Sequence, residues 1–294
     1  MERWSKVKTK MQVSVSFKLF STLQYSNTPW AEALALYPKR GQGRVAFSSE
    51  VIRKLLERST QQRTALKEAY AQLPGTRCRR RTYCCSLLPE MSLLEALSAV
   101  QLLLEMQTEQ RLWMSSRLIR YFFLNPVEIL SCPFLQGENC LIYQNRFFGC
   151  RTYGLWSEEH YRKQGEQSRQ AKRLNQRHWQ SLGVSLPQEV VDFHVDYCPY
   201  VELEGDVSVG DEFLLQTLDR VEAISGQLLP WHHKFHQEYF SDLSFLLASI
   251  SLGLHRAVQL KFEIVRHIVT TGNKERVDQI VDKLDDSLAD VIVR

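Results

Sequence analysis

Long apolar runs are missing from this chain. Its most hydrophobic stretch, FLLASISLGL from Phe245 to Leu254, is about half the roughly 20 residues that a membrane-spanning helix needs. The opening MERWSKVKTKMQVSVSF is basic at its start but carries no apolar core of about 7–15 residues, so no secretory signal is expected. Charge of one sign is scarce as well. A net charge of +4 over 294 residues is too mild to point to nucleic acid or an anionic membrane. Nucleotide and hydrolase signatures are absent: there is no dinucleotide fingerprint, no GxSxG and no HExxH. KRGQGR, Lys39 to Arg44, is the one glycine-rich basic loop, and it lacks both a preceding apolar strand and a GK[ST] ending. Internal repeats and low-complexity linkers are lacking too. These absences predict a soluble, cytoplasmic protein with no membrane span and no nucleic-acid partner.

What is present can build a core. With 44% apolar and 11% aromatic residues, the chain suits one large domain or two modest ones. Up to about residue 45 the pattern is irregular, with MQVSVSF alternating like a short strand and SNTPW and YPKRGQG supplying turns. From Ser49, Ile52, Leu55, Leu56, Leu66, Ala69 and Tyr70 recur at helical spacing, which predicts a helix running to Leu73. SLLEALSAVQLLLEMQ predicts a second helix, with Ser92 as cap and Glu95 completing a capping box. RLWMSSRLIRYFFL predicts a third that stops at Asn125-Pro126. A polar helix is expected from Ser157 to Gln180, and VDFHVDY, residues 191–197, alternates like a strand. The remainder reads as helix interrupted near SGQLLPW and TTGNK. The fold expected is mainly α, a helical protein with a small irregular cysteine element between helical segments. Its segments are 1–75, the cysteine element 76–156, and the helical region 157–294.

Seven cysteines, an odd number, occupy positions 78 to 198. In a reducing compartment such thiols serve metals or catalysis more often than disulfides. Cys78, Cys84 and Cys85 fall in CRRRTYCC just ahead of a helix. Cys132, Cys140 and Cys150 fall in CPFLQGENCLIYQNRFFGCRTYG, and Cys198 in DYCPY. Zinc and iron–sulfur clusters take four protein ligands, which neither group supplies alone, so one site would combine both. Ordinary buried thiols are the competing reading, since cysteine is a common core residue.

These two motifs resemble the YkgJ-like cysteine-cluster family of zinc- or iron-chelating domain proteins. That family carries C-x-x-C-x-x-C-C followed by a proline and a helix, and then a pattern close to CPFL…G.C.IY..RP..CR.Y. Here CRRRTYCCSLLPEMSLLEAL and CPFLQGENCLIYQNRFFGCRTYG put Cys78, Cys84, Cys85, Cys132, Cys140 and Cys150 on matching positions. Tyr143, Arg146 and Arg151 match as well. The resemblance covers residues 78–156 and implies chelation of iron, an iron–sulfur cluster or zinc by these cysteines. Two positions depart from the pattern: Arg81 stands where the family has a cysteine, and Phe147 where it has a proline. A guanidinium offers no lone pair to a metal. Either the remaining six or seven cysteines suffice, or the scaffold persists without metal as an interaction protein. A related cluster occurs in flagellin lysine methylases, which by analogy suggests an enzyme acting on a protein side chain.

Other candidates carry plainer alternatives. On a strand, Asp192, His194, Asp196 and Cys198 would share one face, where Cys198 could serve as the extra ligand, or the face could simply be solvated. His232 and His236 stand at i, i+4 in WHHKFHQEYF, a spacing that zinc sites use, beside His233 in what also reads as an aromatic cluster. The bases Arg162, Lys163, Arg169, Lys172, Arg173 and Arg177 read as a solvated helix face. Near the C-terminus Val277, Ile280, Val281, Leu284, Leu288, Val291 and Ile292 form an apolar stripe over two heptads. It suits packing on the chain's own core or, alternatively, a partner protein's helix. Arg79, Arg80, Arg81 and Arg151 are the cations expected to offset the negative charge of a thiolate cluster.

Overall fold

The Ser48 hydroxyl accepts from the Val51 amide at 3.3 Å and caps α1, Ser49–Arg58. In this computed structural model residues 46–79, 81–205, 208–284 and 288–289 are described. The MQVSVSF and KRGQGR segments, Arg80, Val291 and Ile292 lie outside them. The single helix expected up to Leu73 is two, because α1 gives way at Ser59 to α2, Thr60–Ala71. The buried Ser59 hydroxyl donates to the Leu56 carbonyl, a local bond that competes with the helical ladder.

Helix α3, Leu93–Leu104, has the expected capping box, with Ser92 and Glu95 each satisfying the other's amide. Eight of its 12 residues are buried, Glu95 among them, so it is enclosed on every side rather than along one stripe. Helix α4, Thr108–Leu124, ends at the Asn125-Pro126 pair as expected. Then follow α5, Phe148–Arg151, α6, Glu158–Ser181, and α7, Gln188–Asp192. The last five are α8, Asp211–Ser225, α9, Trp231–Glu238, α10, Leu243–Leu252, α11, Leu254–Thr271, and α12, Glu275–Val281. Helix α3 packs on α1, α2, α4, α8 and α9, while α10, α11 and α12 gather on α4. The described residues are mainly α, 64% helical in 12 helices.

Two small antiparallel pairs interrupt the helices. β1, Thr76–Cys78, pairs with β4, Val201–Leu203, with Cys78 opposite Val201. β2, Leu135–Gln136, pairs with β3, Asn139–Cys140, through a turn where Gly137 takes φ +59°, a left-handed conformation without steric cost for glycine. The strand expected over 191–197 does not form. Residues 188–192 close α7, and 193–198 run as irregular chain. Alternation describes a strand only when a neighbour accepts its backbone bonds, and Lys172 instead reaches the Val190 and Phe193 carbonyls.

One hydrophobic core runs from Phe47 to Leu288 and draws on all three sequence segments. In the C-terminal stripe Val277 and Leu288 are buried in it, and Ile280, Val281 and Leu284 pack against it. The Arg120–Asp278 ion pair ties α12 to α4. No single described helix is long and apolar enough to cross a membrane.

Candidate metal centre

Thr82 sets up the paired cysteines. Its backbone is left-handed at φ +58°, and the chain then closes a 3₁₀ turn over Tyr83–Cys85. The two sulfurs of Cys84 and Cys85 stand 3.7 Å apart. The Cys85 carbonyl accepts from the Cys132 amide at 2.7 Å, which fastens the first cysteine group to the second. From Cys132 the β2–β3 hairpin returns Cys140 opposite Leu135, and α5 carries Cys150. Phe147, in the family's proline position, is buried with its ring 6.0 Å from Phe134, so it holds α5 to the hairpin. All seven cysteines are free thiols.

Five of them lie in one electrostatic neighbourhood. Burial is the main cause that pushes Cys132 up to about 12, and Cys140 and Cys84 add to it. Burial also drives Cys150 well above its usual value, helped by Cys132, Cys84 and Cys140. Cys84 is raised first by its bond with Cys85 and then by burial, and Cys140 is raised by burial. Without a cation these thiols keep their protons.

Arg146 works against these shifts at Cys84, Cys140 and Cys150, and Arg117 does so at Cys132. Arg146 is fixed by its Nε donating to the Tyr143 carbonyl at 3.0 Å, with the guanidinium 3.9 Å over the Tyr143 ring. Arg151 donates to the Arg146 carbonyl at 2.7 Å and lies 4.7 Å over Tyr70. Arg79 and Arg81, next to Cys78, are engaged elsewhere. Arg79 pairs with Glu202 at 2.8 Å, and Arg81 lies 5.5 Å over the Tyr200 ring. Among the described residues the cations of this neighbourhood are therefore Arg146, which comes from the second motif, and Arg117 of α4.

Cys78 and Cys198 sit on a neighbouring ridge. Cys78 ends β1, and the buried Cys198 lies three residues before its partner Val201. Between this ridge and the main group stand Tyr153 and Tyr161, whose hydroxyls are raised by burial and by both Cys198 and Cys84. Among the described residues no three cysteine sulfurs lie within 4.8 Å of one another. The Cys84–Cys85 separation alone matches the roughly 3.8 Å between two sulfurs bonded at about 2.3 Å to one tetrahedral zinc.

Beside the cysteines opens a cavity of about 610 Å³. Its wall includes Ser86 to Glu90 and Glu128 to Leu130, the segments that follow Cys85 and precede Cys132. Glu90, Asp242 and Lys261 line it together. Burial pushes Lys261 down to about 8, opposed by Asp242. Lys261 donates to Asn125 Oδ1 at 3.1 Å and lies 4.1 Å over Phe122. Motif searching passes over this lysine, yet it carries a signal. It occupies the apolar stripe of α11, between Val258 and Ile264, where a charge is out of place.

No family model, curated protein or solved structure matches the chain. The likeness to cysteine-cluster proteins rests on the two motifs.

Proposed function

We propose that this chain is a metal-binding protein whose clustered cysteines hold iron, an iron–sulfur cluster or zinc. The observation that carries this reading is the gathering of Cys84, Cys85, Cys132, Cys140 and Cys150 from three separate backbone elements around Arg146. Packing alone has no use for five thiols drawn together from three elements, whereas a bound cation gives them a common partner. The donor set fits soft thiolate chemistry, and a fixed guanidinium offsets the surplus negative charge of such a cluster. Cys132, Cys140 and Cys150 would draw inward on binding. Cys78 and Cys198 remain as further ligands on the adjoining ridge, and Cys198 would stand in for the thiolate that Arg81 replaces.

Anaerobic purification with elemental analysis and a visible spectrum tests the proposal. Iron with broad visible absorption identifies a cluster, and colourless protein with stoichiometric zinc identifies a zinc site. A chain free of metal under these conditions overturns the reading and favours a scaffold that works by binding a partner. Ligand loss should be visible in stability as well, because metal-binding energy is folding energy. A chelator should lower the melting midpoint of the wild type by more than it lowers those of Cys84→Ser and Cys132→Ser.

The cavity favours a second reading, in which the metal serves chemistry on a bound side chain. Apolar walls with a few convergent ionisable groups are the usual form of a ligand site, and here the walls continue the two cysteine segments. Mass spectrometry of candidate protein substrates, incubated with the loaded chain and the appropriate co-substrate, checks for a covalent change.

A further inference from the structure

A second metal site stands apart from the cysteines. We infer that Glu222, His232 and His236 form a site for a divalent first-row transition ion, of which zinc is the representative. The three come from two helices, Glu222 from α8 and the histidines from one face of α9. Their ligand atoms all lie within 4.8 Å of one another, and no other described group of three His, Cys, Asp or Glu side chains does so. Glu222 Oε2 is 3.4 Å from His236 Nε2 and 3.6 Å from His232 Nε2. Bonds of about 2.0–2.1 Å at a tetrahedral angle place ligand atoms roughly 3.3 Å apart. The two carboxylate–imidazole distances therefore need to close by only a few tenths of an ångström.

Apart from these carboxylate–imidazole contacts, two of the atoms have no other partner. Glu222 Oε2 and His236 Nε2 are buried and have no hydrogen-bond partner among the described residues. The His236 side chain is 6% exposed and that of His232 10%. Buried polar atoms left unsatisfied cost stability, and an ion at their meeting point satisfies both at once.

The outer atoms of the rings are already engaged. His232 Nδ1 is 3.0 Å from Ser225 Oγ, and His236 Nδ1 is 2.6 Å from Ser241 Oγ. Each serine can accept an Nδ1 proton, the tautomer that leaves Nε2 free to bind a metal. Both hydroxyls are themselves buried. Ser225 Oγ also accepts from the Leu94 amide at 3.2 Å, and Ser241 sits in a left-handed pair with Phe240, φ +55° and +54°. Two neutral imidazoles and one carboxylate leave a bound zinc with a net charge of +1 and room for a fourth ligand. The ion would clamp α9 to α8.

Zinc itself is the probe, and the full-length chain is the sample. After loading with zinc and dialysis, wild type should hold one more equivalent than His236→Gln or Glu222→Gln. Zinc-edge X-ray absorption of wild type should show imidazole scattering that both variants lose. Ser241→Ala keeps every ligand and should weaken zinc binding at this site about 10- to 100-fold. It serves as the decisive variant if the ligand substitutions unfold the chain, which circular dichroism reports. Equal zinc content and an unchanged imidazole signal in the variants overturn the inference, as does unchanged affinity in Ser241→Ala. Failure of the cysteine proposal leaves the test intact, because wild type then binds one equivalent and the variants none.

Discussion

At position 82 a β-branched residue holds a left-handed backbone, φ +58°, a conformation that costs on the order of 1–3 kcal/mol. That strain orients the next two cysteines, and it marks where sequence reading stops. The adjacency of Cys84 and Cys85 is plain in the sequence, but their 3.7 Å sulfur separation depends on the Thr82 backbone. Chemistry at single residues offers two checks. Cys132 is buried and pushed up to about 12, so at pH 8 only about one molecule in 10⁴ carries the thiolate. In the reduced, metal-free chain iodoacetamide should label it on the order of a thousandfold more slowly than an exposed cysteine, as read by peptide mass spectrometry. Lys261 provides a pH signature. Burial lowers its folded value to about 8 from 10.5, so between those values the unfolded chain binds more protons. Stability then rises with pH in that window and is lost again as pH falls towards 8. Measured against Lys261→Met by denaturant melts, wild type should gain on the order of 2–3 kcal/mol between pH 8 and 10.5.

Between elements, one close approach falls at Gly154. A Cβ there would meet Val201 Cγ2 at 2.5 Å and the Cys198 carbonyl at 3.3 Å, and the backbone has φ +82°. This contact seats β4 and the Cys198 ridge against the cysteine element. Gly154→Ala should therefore destabilise the fold by about 1–3 kcal/mol, seen as a lower melting midpoint. Elements governed by short-range rules were legible in the sequence. The Ser92–Glu95 box, the stop at Asn125-Pro126 and the Ser157 cap of α6 each depend on residues within a turn of one another. Pairings over long separations were not. Cys78 and Val201 meet only through a strand pair that neither three-residue segment announces, and 191–197 kept the alternation of a strand with no partner to join. The i, i+4 histidines were visible on α9, but Glu222 was not, because its relation to them exists only once α8 folds back. The Ser59 break in the first helix also escaped notice, since a single serine inside a periodic pattern reads as a tolerated helical residue.

Across the whole molecule, Glu95 is the meeting point. It caps α3 through Ser92, accepts from the Tyr70 hydroxyl of α2, and accepts from the Phe148 amide at 2.6 Å. Phe148 opens the helix that carries Cys150. Burial is the main cause that raises Glu95, and the carboxylate of Glu222 adds to it. The helix of one proposed site is thus held by this buried carboxyl, and the other site lies within its electrostatic reach. Glu95→Ala should cost several kcal/mol in global unfolding, since the Phe148 amide and the Tyr70 hydroxyl lose their partner together. Calorimetry would show this as a fall in midpoint for the entire transition rather than for one part. The enclosure of α3 has another consequence, in the order of synthesis. Leu104 leaves the ribosome 127 residues ahead of Trp231, the first residue of α9 (231 − 104), a gap of about 6–25 s at typical elongation rates. For that interval a mostly apolar helix has neither α8 nor α9 to cover it. Nascent chains stalled before residue 211 should be retained by chaperones, and chains stalled well past residue 238 should be released.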